Sequence, residues 1–344
     1  MPPKLVEKND KLTIDDALNL AAKLALNNRV VPHLNRIYIR EGSLVAANAM
    51  NLVLVSGLSQ LDGIEALVDT EALVNSLGKG KGEVTLELTK DILSIARGSV
   101  SALIVCDSLT TNPFKQSYSD CQQVKMMGAA GDFLNAVRDV KAFMKQSNID
   151  NIASQLFVFN EHVYATDNTR IARQRFKGVQ QNCVLTKSFV DLVAAIKLPN
   201  KGFFEDERSF GLIFDGLIVR TVKLRMDTPE EIAKMFDPFK TVTLKPLPEP
   251  AIEPLKELCK IANKEVLEAG PKGIELASRT RSVKLNTDVP LEFPRFQVKA
   301  NVLLELLNNK AQFSWRYGTF PAFAFRYENG VEGLVSTRNV VPTK

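Results

Sequence analysis

The residue types that carry most enzymatic and metal chemistry are sparse in this chain. There are two histidines, His33 and His162, and the four cysteines Cys106, Cys121, Cys183 and Cys259 form no CxxC pair. Structural zinc needs four nitrogen or sulfur ligands at recognisable spacing, so no metal site is predicted. A Ser/His/Asp triad has few candidate bases, and no GxSxG, HExxH, GxxxxGK[ST] or GxGxxG segment occurs. Gly78-Lys79-Gly80-Lys81-Gly82 has the composition of a phosphate loop, but it falls between a short predicted helix and a strand. A P-loop runs from strand into helix, so this run is read as a turn. Glu205-Asp206-Glu207 is read as the cap of a solvated hairpin, His33 and His162 as surface residues, and Trp315 as packing in a strand. The cysteines are read as reduced, buried fillers. The residues predict no catalytic group and no cofactor: not an enzyme.

What the sequence does offer is positive charge placed on helices. Forty-four basic against 39 acidic residues leave +5, which permits an anionic partner without requiring one. Arg138, Lys141 and Lys145 stand three and four apart and so share one helix face, and Lys256, Lys260 and Lys264 repeat the spacing. Lys23 and the loop residue Arg29 are a weaker counterpart, offset in charge by Asp15 and Asp16. Such stripes can meet nucleic-acid phosphates without reading bases. A solvated helix face is the alternative for any one of them, and Glu253, Glu257 and Glu265 dilute the last.

The elements carrying these stripes are copies of one another. Residues 36–55, RIYIREGSLVAANAMNLVLV, lie over residues 155–174, QLFVFNEHVYATDNTRIARQ, without a gap at a shift of 119. The preceding apolar helix face, Ile14, Ala17, Leu18, Ala21, Leu24 and Ala25, becomes Phe133, Ala136, Val137, Val140, Phe143 and Met144 at the same shift. A second short helix, Leu73, Val74 and Leu77, becomes Leu192, Val193 and Ile196, opened by Asp69 in one copy and by Thr186 or Ser188 in the other. A third copy appears at 118 for the first helix (Ala251, Leu255, Leu258, Ile261, Ala262) and at 111 for the second (Leu303, Leu304, Leu307), about seven residues shorter. Each unit reads helix, paired strands, helix, paired strands.

At 344 residues, 45% hydrophobic and 24% charged, the chain suits three units of a size that buries a core. No apolar run approaches the roughly 20 residues that span a bilayer, and the start MPPKLVEKND has no signal-peptide core, so a cytoplasmic protein without membrane contact is expected. The predicted domains are 1–118, 119–245 and a trimmed 246–344. In the first, Glu41-Gly42 turns one strand into the next, and the segments Glu83–Leu88, Ile92–Arg97 and Ser101–Cys106 are expected to complete a mainly antiparallel sheet. TNPFKQSYSD is expected to link it to the second, which ends in a strand Leu217–Leu224 after an Asp215-Gly216 hairpin turn. KTVTLKPLPEP, stiffened by Pro246, Pro248 and Pro250, leads to the third. The fold class is α+β: three tandem modules, each with two helices packed on antiparallel sheet.

This combination resembles the bacterial-type DNA polymerase sliding clamp, the beta subunit of the replicative polymerase, in a diverged or phage-like form. The likeness rests on the Arg29, Pro32 and Leu34 turn before RIYIREGSLVAAN, on VYATDNTRIA (Val163–Ala172), similar to the family's ATDGHRLA, and on FQVKANVLLELLNN, AQFSWRYG, PAFAFRYENG and GLVSTRN in order near the end. It covers nearly the whole chain. The resemblance implies three clamp domains and a head-to-tail homodimer closing a ring around double-stranded DNA, with helices lining the hole. It implies DNA polymerase and clamp loader as partners, docking in an apolar pocket formed in part by Thr166, Asp167, Asn168, Thr169, Arg170 and Ile171, with Leu244 and Val335; for Asp167 and Arg170 a turn-stabilising pair inside the domain is the alternative. Asn168-Thr169 stands where the family has Gly-His, and Ser336-Thr337-Arg338 where it ends in Met-Pro-Met, so the peptide specificity is expected to differ. A clamp-fold scaffold that does not close a stable ring is the alternative.

Overall fold

The computed structural model describes residues 12–26, 31–77, 82–145, 154–177, 182–224, 229–271, 273–277, 282–285, 293–315 and 322–337. Arg29, the run Gly78–Lys81 and Arg338 lie outside them.

Three copies of one element order follow each other. The first is α1 (Ile14–Ala25), β1 (Arg36–Arg40), β2 (Ser43–Ala47), β3 (Asn51–Val55), β4 (Glu65–Asp69), α2 (Thr70–Leu77), β5 (Val84–Thr89), β6 (Ile92–Arg97) and β7 (Val100–Val105), followed by α3 (Lys115–Gln122). The second is α4 (Phe133–Val140), β8 (Leu156–Phe159), β9 (His162–Thr166), β10 (Arg170–Arg175), β11 (Cys183–Leu185), α5 (Lys187–Ala195), β12 (Asn200–Glu205), β13 (Ser209–Phe214) and β14 (Leu217–Val222), followed by α6 (Pro229–Lys234). The third is α7 (Glu249–Ala262), β15 (Val266–Gly270), β16 (Gly273–Ala277), β17 (Ser282–Lys284), β18 (Phe296–Lys299), α8 (Ala300–Asn308), β19 (Gln312–Ser314), β20 (Ala322–Arg326) and β21 (Glu332–Ser336).

Local chemistry repeats with the order. Thr13 opens α1 with a capping box, its hydroxyl accepting the Asp16 N–H at 3.2 Å while Asp16 accepts the Thr13 N–H at 3.3 Å. Asp69 caps α2 through the Ala72 N–H (2.9 Å), and Thr186 caps α5 through the Phe189 N–H (3.4 Å). The β1–β2 turn, Glu41-Gly42, has both residues at positive φ (49° and 69°), and its copy Asn160-Glu161 does the same without a glycine (47° and 57°). Positive φ at both central residues is the turn whose twist suits a two-residue hairpin. Asp215-Gly216 joins β13 to β14 as expected, with Phe214 paired to Leu217.

Contacts divide the chain into two compact units: Met1–Leu134 with Lys177–Val179 and Val184–Arg225, and Asn135–Phe176 with Gln180–Cys183 and Met226–Lys344. The division passes through the second copy because sheets join neighbouring copies side by side. In the first unit one sheet runs β12-β13-β14-β3-β2-β1-β4, so β14 of copy two completes the sheet of copy one. In the second unit the order β8-β9-β10-β21-β20-β19 places β21 of copy three beside β10 of copy two. The two joints share a register: Thr221 pairs with Asn51, and Val335 pairs with Arg170, which is the residue 119 further on.

Three expectations are corrected. The segments β5, β6 and β7 form a separate three-stranded sheet, with Leu93, Ile95 and Ile104 turned inward and α2 packed on it. TNPFKQSYSD is no open link: Phe114, Tyr118 and Cys121 recur at helical spacing and bury α3 against Tyr38, Val45 and Leu54. Ile261 is 49% exposed, because the buried arc of α7 holds Ala251, Leu255, Leu258, Cys259 and Ala262, and Ile261 lies roughly a quarter turn off it. Its counterpart Phe143 is buried because the chain tightens into a 3₁₀ turn at Lys141–Phe143 and rotates that residue inward. Trp315 packs as expected against Phe313 (4.8 Å) and Phe323 (5.1 Å), one residue beyond β19.

Candidate functional site

The β9–β10 turn of the second unit begins with Asp167. Its Oδ1 accepts the backbone N–H groups of Thr169 and Arg170, each at 2.9 Å, and Asn168 adopts φ 71° to close the turn. Thr166 donates its hydroxyl to the Arg170 carbonyl at 2.8 Å. The Arg170 guanidinium, with 7% of its side chain exposed, is held by Asp167 (2.9 Å) and Glu305 (2.7 Å) and lies 4.8 Å over the Phe143 ring. Burial alone lowers its pKa, but the two carboxylates outweigh that and hold it above its ordinary value.

This rigid turn forms one wall of a cavity of about 340 Å³. Thr166, Asn168, Thr169, Arg170 and Ile171 line it, with Phe157 beneath, Ile232 and Met235 from the α6 segment, and Ala322, Leu334 and Ser336 from β20 and β21. The lining is mostly apolar with few hydrogen-bonding groups, the composition of a site for apolar side chains. A second, more polar cavity of about 290 Å³ adjoins it through Asn168, Thr169 and Ser336 and adds Gln297 and Lys299.

Five of the eight residues named from the sequence therefore meet at one cavity. Asp167, Leu244 and Val335 do not line it. Asp167 is spent on the turn, Leu244 is half-buried on the connector, and strand alternation turns Val335 away from the face of Leu334 and Ser336, leaving it fully buried. Ser336, named from the sequence as a departure from the family's ending, also lines it, whereas sequence reasoning missed Phe157, Ile232, Met235, Ala322 and Leu334. Ile232 on α6 and Met235 just past its end, three residues apart, were the available signal.

The basic residues are less uniform than their spacing promised. Lys23 is exposed in the last turn of α1, and Arg138 is exposed on α4. Lys141 is half-buried in the 3₁₀ turn, and exposed Lys145 follows after the chain has left the helix, so the three do not continue one α-helical face. Lys256 is half-buried and paired with Glu253 at 2.8 Å. Lys260 is exposed on α7, while Lys264 sits past the helix end, after Asn263 at φ 54°.

Among the described residues no group of three or more His, Cys, Asp or Glu is placed to hold a metal ion. His33 is exposed; His162 is half-buried, its Nδ1 2.8 Å from the Asn160 carbonyl, and burial lowers its pKa. Asp206 accepts the N–H groups of Arg208 and Ser209, both at 2.7 Å, as the hairpin cap expected there.

The three-copy architecture and its joints define the class: this is the fold of the bacterial beta sliding clamps. The chain is similar to the Helicobacter pylori beta clamp solved with a DNA ligase peptide (16% identity, TM-score 0.66, 94% of this chain and 97% of that one). It is similar to the DNA polymerase III beta chain of Streptococcus pneumoniae (11%, 0.69, 94% and 97%) and to the sliding clamp of Pseudomonas aeruginosa bound to griselimycin (11%, 0.70, 95% and 97%). No protein-family model matches the sequence, and no curated protein matches it either. No helix among the described residues is long and apolar enough to cross a membrane.

Proposed function

We propose that this protein is a DNA polymerase processivity factor: two copies join head to tail into a ring that encircles duplex DNA and tethers a replicative polymerase. On this reading the three copies are the domains 1–118, 119–245 and 246–344. The observation that carries it is the repeated joint. The last strand of one copy's second strand group pairs with the third strand of the preceding copy's first group, as β14 with β3 and β21 with β10. That rule leaves β7 of copy one and β17 of copy three as edges with no neighbour among the described residues. On β7, Val100, Leu103 and Val105 are 64%, 73% and 76% exposed. An open apolar strand edge is a liability unless a partner covers it. One chain's β7 against the β17 edge of a second copy repeats the internal joint and closes two copies into six modules.

In such a ring, lysine and arginine on the repeated helices meet phosphates through mobile, salt-sensitive contacts that permit sliding. Lys23, Arg138 and Lys260 are exposed and suit this role best. The mechanism needs no bond chemistry. A polymerase peptide seated in the apolar cavity keeps the enzyme at high effective concentration near the primer end. A clamp loader would use the same cavity to place the ring. Glu253 against Lys256 on α7 favours a second reading, a clamp-fold scaffold with weak DNA contact.

Light scattering tests the edge directly. The wild-type chain is expected as a dimer, and Leu103→Asp with Val105→Asp as a folded monomer with unchanged circular dichroism. A wild-type monomer at high concentration contradicts the ring and leaves the scaffold.

A further inference from the structure

The cavity described above has a counterpart in the first unit, and the two are built alike. Asn48 stands 119 residues before Asp167, and its Oδ1 accepts the N–H groups of Met50 (2.9 Å) and Asn51 (2.7 Å), as Asp167 does for Thr169 and Arg170. The Val222 N–H donates to the Met50 carbonyl at 2.9 Å, and the Ser336 N–H donates to the Thr169 carbonyl at 2.8 Å. In each unit the cleft is closed by the helix that follows the second strand group of the copy supplying the turn, α3 after β7 in the first unit and α6 after β14 in the second. The first-unit cleft has a volume of about 460 Å³, within the roughly 300–1,000 Å³ of ligand sites.

Its chemistry differs. Met50, Phe114 and Val222 give it an apolar floor, but Arg220 stands where the other cavity has Leu334, and Arg208 adds a second guanidinium. Arg220 is engaged by Asp206 at 3.3 Å and lies 4.0 Å from Asp120. Arg208 is exposed, and its side chain has no partner among the described residues. Asn51, 2% exposed, donates to Ser188 at 2.7 Å and leaves its Oδ1 unpaired. Its counterpart Arg170 has both carboxylate partners. The first cleft thus carries an open cation at its rim and an unanswered acceptor in its wall.

We propose that this first-unit cleft is a second peptide-binding site, taking a short segment that sets apolar side chains on Met50, Phe114 and Val222 and a carboxylate on Arg208. A carboxylate beside apolar residues is the complement of an exposed guanidinium over an apolar floor, and Arg favours carboxylate in fixed fork geometry. The site would recruit a partner different from that of the apolar cavity, because Arg220 stands in place of the apolar Leu334 and Arg208 adds a second charge. It goes beyond the processivity reading and does not depend on ring closure.

The test uses the full chain and a displayed library of random short peptides, with three variants: Arg208→Glu and Val222→Glu in the first unit, and Met235→Asp in the second. Arg208 and Val222 are exposed, so their variants fold. The expected result is a class of selected peptides rich in Asp or Glu beside apolar residues, whose affinity falls roughly tenfold or more in Arg208→Glu and in Val222→Glu but is unchanged in Met235→Asp. The proposal is overturned if no acidic class is selected, or if that class is lost in Met235→Asp instead. It is also overturned if Arg208→Glu weakens a short DNA duplex while sparing every selected peptide, which would make the cleft a nucleic-acid contact.

Discussion

Arg170 shows how a single side chain can be legible in its local role and illegible in its distant one. Its place in the TDNTRI segment marked it as a pocket residue, and it does line the cavity, yet its guanidinium also holds the turn and caps a packed aromatic. Its partners were divided: Asp167 lies three residues away, whereas Glu305 comes from α8, and no local pattern announces a contact of that sequence separation. Arg170→Ala is expected to cost about 1–3 kcal/mol in denaturant unfolding, discounted for the partial exposure of both carboxylates. A double-mutant cycle with Glu305→Gln should recover part of it. Met235→Asp, in contrast, should leave stability nearly unchanged for a residue at the cavity wall and weaken a polymerase-derived peptide roughly tenfold, about 1.4 kcal/mol. The thiols test burial. Cys121 and Cys259 are buried and pushed up to about 11 and about 12 by desolvation, while Cys106 is half-exposed. A thiol reagent at mildly alkaline pH should modify Cys106 first, and Cys121 and Cys259 only on unfolding; early labelling of Cys259 would contradict the packing of α7.

At the scale of elements, periodicity located most helices and hairpins because their faces were copied: Ile14 to Ala25, Phe133 to Met144 and Ala251 to Ala262 each present a buried stripe in the same place. It failed where context changed the phase. Ile261 and Phe143 occupy matching positions, but a 3₁₀ turn rotates one inward and a continued α-helix leaves the other outside, which is a packing outcome. The same break takes Lys145 off the helix and spoils a charge stripe drawn for an ideal helix. α3 escaped notice because its polar surface and Pro113 read as a loop, although Phe114, Tyr118 and Cys121 carried the period. Caps were readable, and Thr13→Ala, which removes half of a reciprocal capping box, should cost about 1 kcal/mol in thermal or denaturant unfolding. A change below a few tenths would place the fraying end of α1 outside the cooperative unit.

At the scale of the molecule, the duplication of the sequence predicted three modules but not how they would be joined. That information lies in the pairing of strands far apart in the chain: β14 with β3, β21 with β10, and the β7 and β17 edges, open among the described residues, that obey the same rule. The repeated joint also produced two clefts of one construction and opposite chemistry, a difference set by a few substitutions such as Leu334 against Arg220. Charge is the weaker witness, since +5 is modest and Lys256 is partly neutralised. Reversing Lys23, Arg138 and Lys260 together should lower DNA affinity and flatten its salt dependence, and an unchanged salt slope would remove these helices from the proposed lining. Topology is the stronger witness and has the most direct test. The chain, placed on nicked circular DNA with a clamp loader, should be retained through a high-salt wash and released when the circle is linearised. Equal retention on the circle and on the linear form would contradict the closed ring.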